Sequence, residues 1–181
     1  MTELGTENSQ MKWTFATSRH VSVAAEAIVA AWCARCGYDV SVQYGANQPE
    51  YDLMVAKGSN VLKVSVKGSQ TGSWGLGQSG LKNADYHAAI AKWLAQHKPL
   101  TVLCFVQFRD TDITQMPRLY LATPTEVADR LRATSKGRGG TILYEHREWT
   151  GRAHGAGTVE EIPVAWNFSL ERIDKLSRAK L

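Results

Sequence analysis

Residues 51–69, YDLMVAKGSNVLKVSVKGS, decide the fold of this chain because they contain two strand patterns separated by a tight turn. Residues 51–56 and 61–67 are rich in apolar and β-branched side chains, which are enriched in strands. The Lys-Gly-Ser-Asn sequence at 57–60 between them is typical of a hairpin connection. We therefore expect two antiparallel strands joined by a short turn.

The second of these strands separates an apolar face from a more polar one. Side chains alternate along a strand, so the residues expected to meet the core are Leu62, Val64 and Val66. Ser65 and Lys67 are neighbours on the opposite face. In the paired strand, Asp52 precedes an apolar run, and the hairpin brings its carboxylate close to Ser65 and Lys67.

The chain before the hairpin predicts one helix. Apolar residues recur at helical spacing over about 18–36, and Gly37 stands where a glycine ends many helices. Glu26 is the only acidic residue in that span. A carboxylate on a mostly apolar helix is costly to bury unless it has a partner, and this marks Glu26 as a candidate site residue.

The rest of the chain adds further helices and strands to this hairpin. Strand patterns occur at 38–43, 101–108, 118–122 and 141–148, and helix patterns at 85–97, 125–133 and from 169 onward. Residues 68–80 are rich in glycine and are expected to form a flexible loop. This order favours an α/β fold with a mixed sheet flanked by helices. We expect a flexible tail over 1–17 and a single domain over 18–181, with 134–181 as a C-terminal extension.

Composition excludes several classes of protein. The chain has 181 residues, of which 44% are hydrophobic and 21% charged, as in ordinary globular domains. No apolar run is long enough to span a bilayer, and the polar N-terminus lacks the pattern of a signal peptide, so no membrane association is expected. Three cysteines, an odd number, favour a reducing cytoplasm. The net charge of +4 permits a polyanionic partner without requiring one.

The order of Glu26, Asp52-Leu53 and the stretch VSVKGS at 64–69 resembles the PD-(D/E)XK nuclease superfamily, above all its Holliday-junction-resolvase-like and homing-endonuclease-like members. In that superfamily an early helix carries a glutamate, an aspartate opens a strand, and the next strand ends in an acid-x-lysine step. The resemblance covers about residues 18–130. It implies a restriction-endonuclease-like fold, metal-dependent hydrolysis of DNA phosphodiester bonds and, in many members, a homodimer.

The resemblance also implies roles for individual residues. Asp52 and Glu26 would hold Mg²⁺ or Mn²⁺ together with the backbone carbonyl of Val66, and Lys67 would lie beside the attacking water. Ser65 departs from the pattern, because the superfamily places Glu, Asp or Gln there, and a hydroxyl does not supply the missing charge. Three interpretations stay open. Glu26 replaces the missing acid, Ser65 acts from the outer shell of the metal, or the site is inactive and the domain binds nucleic acid or protein.

Six residues outside this motif are candidate nucleic-acid contacts, namely Ser69, Gln70, Trp74, Lys82, Lys136 and Arg138. Trp74 lies in the glycine-rich segment, where its indole either stacks on a base or packs back on the core. Lys136 and Arg138 belong to the densest basic loop, which either contacts phosphates or is a solvated surface. Two plainer alternatives remain for the motif itself. Asp52 also fits a cap of the turn that precedes it, and the chain also fits an unrelated α/β domain with a small-molecule pocket.

Overall fold

The computed structural model describes residues 17–43, 50–98, 100–151 and 153–179. In this part of the chain the α-helices are α1 Ser18–Arg35, α2 Tyr86–Leu94, α3 Pro124–Ala133 and α4 Leu170–Arg178. The strands are β1 Asp39–Val42, β2 Leu53–Lys57, β3 Asn60–Ser69, β4 Ser73–Gly75, β5 Thr101–Gln107, β6 Arg118–Ala122, β7 Ile142–Tyr144, β8 His146–Glu148 and β9 Val159–Glu161. The predicted tail, apart from Thr17, lies outside the described residues. None of the described helices is long and apolar enough to cross a bilayer.

A five-stranded mixed sheet with the order β1-β2-β3-β5-β6 organises the molecule. The predicted hairpin is confirmed: β2 and β3 pair antiparallel, and the register closes at Lys57 opposite Asn60. β3 also pairs with β5, in parallel, so it is a central strand with a neighbour on each side. The predicted α/β class, a mixed sheet flanked by helices, is confirmed. The strand pairs β4–β7 and β8–β9 form two small separate ribbons.

Both faces of the sheet are covered, which explains why every residue of β5 is buried. One face packs against α1 and α4, and its core includes Ala25, Val29, Val64 and Ile173. The other face packs against α2 and α3, and its core includes Trp74, Ile90, Phe105 and Leu131. The apolar face predicted for β3 is buried as expected, but the opposite face is covered too. Ser65, on that second face, is only 3% exposed.

Local signals place the helix starts well. Thr17 caps α1, since its side-chain oxygen accepts a hydrogen bond from the amide of His20. Thr123 and Glu126 form a capping box at the start of α3, which has Pro124 at its first position. Ser169 caps α4. These caps account for the close match between the predicted and observed helix starts.

The glycine-rich segment is the main correction to the predicted elements. Residues 68–80 include the end of β3, the strand β4 and a 3-10 helix at Gln78–Gly80, so the segment is not simply a flexible loop. The strand predicted at 141–148 is two strands that belong to different ribbons. Burial of Trp74 and pairing of β4 with β7 override the local glycine signal, because a buried indole contributes more than the glycines cost.

Close packing of α1 on the end of β3 positions the elements of the hairpin and the first helix. A Cβ placed on Gly68 would lie 2.9 Å from both the Val21 carbonyl oxygen and a Val21 methyl group, and 3.0 Å from the Ala25 side chain. Its φ angle is not in the left-handed region, so the need for glycine is one of space alone. Glycine at 68 therefore permits helix and strand to approach more closely than any other residue would.

This packing yields a stability prediction for Gly68→Ala. The added methyl group meets backbone of α1 and forces the helix away, so the free energy of unfolding is expected to fall by about 1–3 kcal/mol, as for overpacked cores. Gly80→Ala is the matched control, because a Cβ there has ordinary contacts of 3.4 Å or more. Urea denaturation of both variants measures the difference, and equal stability of the two would contradict the close contact.

Candidate functional site

A polar cleft of about 460 Å³ lies where α1, the residue before β2, the end of β3 and β4 meet. Three of the four predicted catalytic residues, Glu26, Asp52 and Lys67, line this cleft. They come from three different elements, and the packing of α1 on Gly68 and the β2–β3 hairpin bring them together. We call this site the polar cleft.

Asp52 is held in place across the hairpin. Its Oδ2 accepts a hydrogen bond from the amide of Val66 at 2.6 Å, and its own amide donates to the carbonyl of Val64 at 2.9 Å. The carboxylate therefore contacts the neighbouring strand rather than capping a local turn. Oδ1 is the oxygen left for a further ligand.

The carbonyl of Val66 is directed toward Asp52. The N–H and C=O groups of one strand residue point to the same side of the strand, and the Val66 N–H points to Asp52. Val66 also lines the polar cleft. Two carboxylates and a backbone carbonyl are thus among the hard oxygen groups of the cleft.

The chain before β2 helps to position Asp52. Glu50 Oε1 accepts hydrogen bonds from the amide of Lys98 at 2.9 Å and from the hydroxyl of Thr101 at 2.6 Å. Thr101 begins β5, which lies on the far side of β3 from β2, so this segment crosses β3 before β2 begins. These hydrogen bonds lower the pKa of Glu50, although burial alone would raise it. The sequence does not mark Glu50 as a positioning residue, because its hydrogen-bond partners are about 50 residues away.

The pKa of the Glu26 carboxyl group is shifted by its surroundings in the cleft. Partial burial raises the pKa of its carboxyl group, the negative charge of Asp52 raises it further, and the positive charge of Lys67 opposes both. The two carboxylates and the amine are therefore close enough to influence one another. A cluster with two mutually repelling carboxylates is a site that a cation would stabilise.

Lys67 lies at the end of β3, and its backbone is fixed by Trp74. The indole Nε1 donates a hydrogen bond to the Lys67 carbonyl at 2.8 Å. Trp74 is 4% exposed and packs edge-on against Phe105, at 5.2 Å between ring centroids, and against Tyr120 at 6.3 Å. The alternative in which Trp74 stacks on a base does not agree with this placement. Its contribution to the site is to hold the strand that carries Lys67.

Ser65 does not line the polar cleft. It lies two residues deeper along β3, opposite Leu103 of β5, under the α2 and α3 side of the sheet. The position at which the resemblance predicts a second acid is therefore buried here. This burial explains how a small hydroxyl side chain is accommodated where a carboxylate would be costly.

The remaining predicted contacts lie in three different places. Ser69 and Gln70 line the polar cleft beside Lys67. Arg138 lines a different cavity, and the Lys136 ammonium next to it donates to the carbonyl of Ala156. Lys82 is exposed and lines neither cavity.

Four hydroxyl residues of the cleft rim were missed, namely Ser18, Ser22, Thr71 and Ser73. Ser18 and Ser22 precede Glu26 by eight and four residues, and a helix places residues at that spacing on one face. The i, i+4 pattern of small polar residues leading to the glutamate was therefore a signal available in the sequence. Thr71 and Ser73 join the rim only because β4 folds back on β3.

Among the described residues, no group of three or more His, Cys, Asp or Glu side chains is arranged to hold a metal ion. The polar cleft presents two such carboxylates, Glu26 and Asp52. Comparison with protein-family models and with characterised proteins finds no match for the chain.

The raised pKa of Glu26 predicts an unusual stability effect. An acid whose pKa is raised by folding destabilises the fold once it ionises, so this cost appears as pH rises above the ordinary value of 4.5. Glu26→Gln removes the cost, and the variant is expected to be more stable than wild type at pH 7, by ~0.5 kcal/mol, the scale of partly exposed charge pairs. The two proteins should converge below pH 4.5.

Urea denaturation between pH 4 and 8 measures this effect, with Glu171→Gln as the control. Glu171 is an exposed acid in the first turn of α4, where a negative charge favours the helix dipole. Its replacement should be neutral or slightly destabilising. A loss of stability in Glu26→Gln at neutral pH would contradict the electrostatic description of the cleft.

Proposed function

We propose that this chain is a nuclease that hydrolyses phosphodiester bonds of DNA with a divalent metal, as the PD-(D/E)XK resemblance implies. The observation that supports the proposal is the convergence of Glu26, Asp52 and Lys67 in one polar cleft. Two acids able to bind a metal ion and a lysine able to stabilise negative charge suit metal-assisted phosphodiester hydrolysis. The mild positive net charge of the chain, +4, favours a polyanionic substrate.

The donor set of the cleft fits Mg²⁺ or Mn²⁺. Mg²⁺ prefers hard oxygen ligands and usually takes one or two carboxylates, with water and substrate phosphate completing its shell. Asp52 and Glu26 would hold the ion, with the Val66 carbonyl as a third oxygen. When bound, such an ion polarises the scissile phosphate and lowers the pKa of a water molecule.

Other groups of the cleft stabilise charge, orient Asp52 and contact the phosphates. The Lys67 ammonium stabilises the negative charge that develops on the phosphate, because it is already positioned in the cleft. The Val66 amide keeps the Asp52 carboxylate oriented, so its free oxygen needs no rearrangement. The hydroxyl groups of the rim donate hydrogen bonds to phosphate oxygens and fix the register of the strand.

Two further features belong to the same proposal. Cleavage of both strands of a duplex needs two active sites, so a homodimer is the assembly that we propose for a duplex substrate.

The cysteines Cys33, Cys36 and Cys104 are free thiols. Thiols persist in a reducing compartment, which supports a cytoplasmic location.

A second candidate function is favoured by the position of Ser65. Its burial outside the cleft leaves two carboxylates where active PD-(D/E)XK enzymes usually have a further acid on the lysine strand. In this candidate the domain keeps the fold and binds nucleic acid or a protein partner without cutting. Metal binding separates the two candidates, since only the nuclease requires it.

Cleavage assays test the nuclease with Mg²⁺ or Mn²⁺ on duplex, single-stranded and branched DNA. Asp52→Asn and Lys67→Met are each expected to slow cleavage by about 100-fold or more, as for loss of one transition-state contact. Lys63→Met is the matched control, because this lysine lies on β3, four residues before Lys67, and packs over Tyr51 instead. It should cleave at the wild-type rate.

Calorimetry with Mn²⁺ accompanies the cleavage assays. Wild type is expected to bind the ion, and Asp52→Asn to bind it at least about tenfold more weakly. A wild-type protein that cuts none of these substrates with either metal would refute the nuclease. If the wild-type protein also binds no Mn²⁺ but does bind DNA, the chain is a non-catalytic binding module.

A further inference from the structure

A second cavity, of about 610 Å³, lies beside the polar cleft. The β4–β7 ribbon separates the two. Ser73 and Gly75 of β4 line the polar cleft, and their register partners Tyr144 and Ile142 of β7 line the second cavity. A ligand large enough to cover this narrow ribbon reaches both cavities. The volume of the second cavity is within the range of small-molecule sites.

Aromatic rings form much of its lining, from Tyr86, Tyr144 and Trp149. We call this cavity the aromatic pocket. The rings of Tyr144 and Trp149 are 6.2 Å apart and nearly perpendicular, at 85°. Such a lining suits a flat aromatic ligand, since stacking on aromatic side chains is favourable for every nucleobase.

Cationic side chains accompany these rings at the rim. The guanidinium of Arg138 lies 5.6 Å from the centroid of the Tyr86 ring. Arg147 lies 4.6 Å from both the Tyr144 and the Trp149 rings. Both arginines are exposed. A planar ligand that stacks on Tyr86 displaces Arg138 to the rim, where its guanidinium is able to pair with a neighbouring phosphate.

Trp149 supplies a polar group that lacks a partner in the described structure. Its Nε1 is buried and makes no hydrogen bond, although nearly all buried donors in folded proteins have one. Because Nε1 has almost no accessible surface, an acceptor at the edge of a ligand would satisfy it only if the Trp149 ring turned toward the pocket. Nucleobases carry such acceptors on their ring nitrogens and carbonyl groups.

The loop that closes the pocket is held in a costly conformation. Ser135 and Lys136 have φ angles of +55° and +58°, in the left-handed region that non-glycine residues rarely adopt. The Ser135 amide donates to Glu160 Oε1 at 2.7 Å, and the Ser135 hydroxyl contacts the carbonyl of His154. Backbone strain of this kind persists where surrounding contacts impose it, and it clusters at binding sites. The loop thereby keeps Arg138 beside Tyr86.

We propose that the aromatic pocket binds an unpaired nucleobase of the same strand whose phosphate occupies the polar cleft. The proposal rests on the nuclease or nucleic-acid-binding function of that cleft and specifies its substrate class: DNA with a single-stranded region. Bases inside a duplex are stacked on both faces and do not reach Tyr86 or Trp149 without being extruded. Single-stranded DNA therefore binds more tightly than duplex of the same sequence.

Fluorescence anisotropy without divalent metal tests this preference. The probes are a labelled single strand of roughly 12 nucleotides, within the usual site sizes, its blunt duplex, and a strand of equal charge with abasic spacers in place of nucleosides. Tyr86→Ala and Arg138→Ala are each expected to weaken binding of the single strand by about tenfold, within the range for one base stack. For Tyr86→Ala, binding of the duplex and of the abasic strand should change by less than about twofold. Arg138→Ala also removes a phosphate contact, so it should weaken binding of these two probes too, but less than it weakens binding of the single strand.

Arg35→Ala is the matched control, because Arg35 is also an exposed arginine over an aromatic ring, at 4.7 Å from Trp32, but lies far along α1 from the cleft. It removes the same charge and should leave binding of the single strand within about twofold of wild type. Arg138 is a surface residue, so its variant tests the pocket even if Tyr86→Ala fails to fold, which circular dichroism reveals.

The outcomes distinguish this inference from the function of the cleft. Equal affinity of wild type for single strand, duplex and abasic strand would overturn the pocket, even if Asp52-dependent cleavage is observed. Loss of affinity in Tyr86→Ala and Arg138→Ala, with no cleavage by any protein, would support the pocket and refute the nuclease. Displacement of the strand by an equal concentration of a deoxynucleoside monophosphate would show a site for free nucleotides and overturn the strand-binding proposal.

Discussion

The contact between α1 and the end of β3 is the constraint on which the site depends. Gly68 leaves room for the backbone of Val21 and the methyl group of Ala25 to lie directly against the strand. Because an α-helix is rigid over this length, the closeness at Ala25 also sets the position of Glu26, the next residue. Lys67 immediately precedes Gly68, and the Asp52 carboxylate accepts a hydrogen bond from the Val66 amide. This close approach thus brings together the elements that carry all three charged groups.

That closeness produces an electrostatic conflict at the cleft. Two carboxylates repel each other in a partly buried space, and one amine compensates for them only in part, so the pKa of Glu26 is raised. Burial and like-charge pairs of this kind are the means by which active sites shift pKa values. Two partly buried carboxyl groups elsewhere in the described residues show the opposite behaviour. Burial would raise the pKa of Glu126 and Glu145, but hydrogen bonds from arginine and other partners outweigh it and lower both.

The predictions from sequence succeeded where the physical signal was local. Capping residues and helical periodicity placed the helices, and a four-residue turn with period-two alternation placed the hairpin. They failed where a distant contact decided the outcome. Residues 73–75 form a strand rather than part of a flexible loop because they pair with β7, about 70 residues later. The glycines in residues 68–80 indicate only that the backbone there is able to adopt many conformations.

The sequence by itself determined the hairpin, the helix that carries Glu26, and the residue types able to meet in one cleft, because each of these follows from spacing along the chain. Only the tertiary structure decided that Ser65 is buried away from the cleft, that Trp74 supports Lys67, and that an aromatic pocket lies across the β4–β7 ribbon. The physical reason is that these features arise from packing between segments far apart in sequence. Spacing along the chain does not indicate which distant segments will pack against each other.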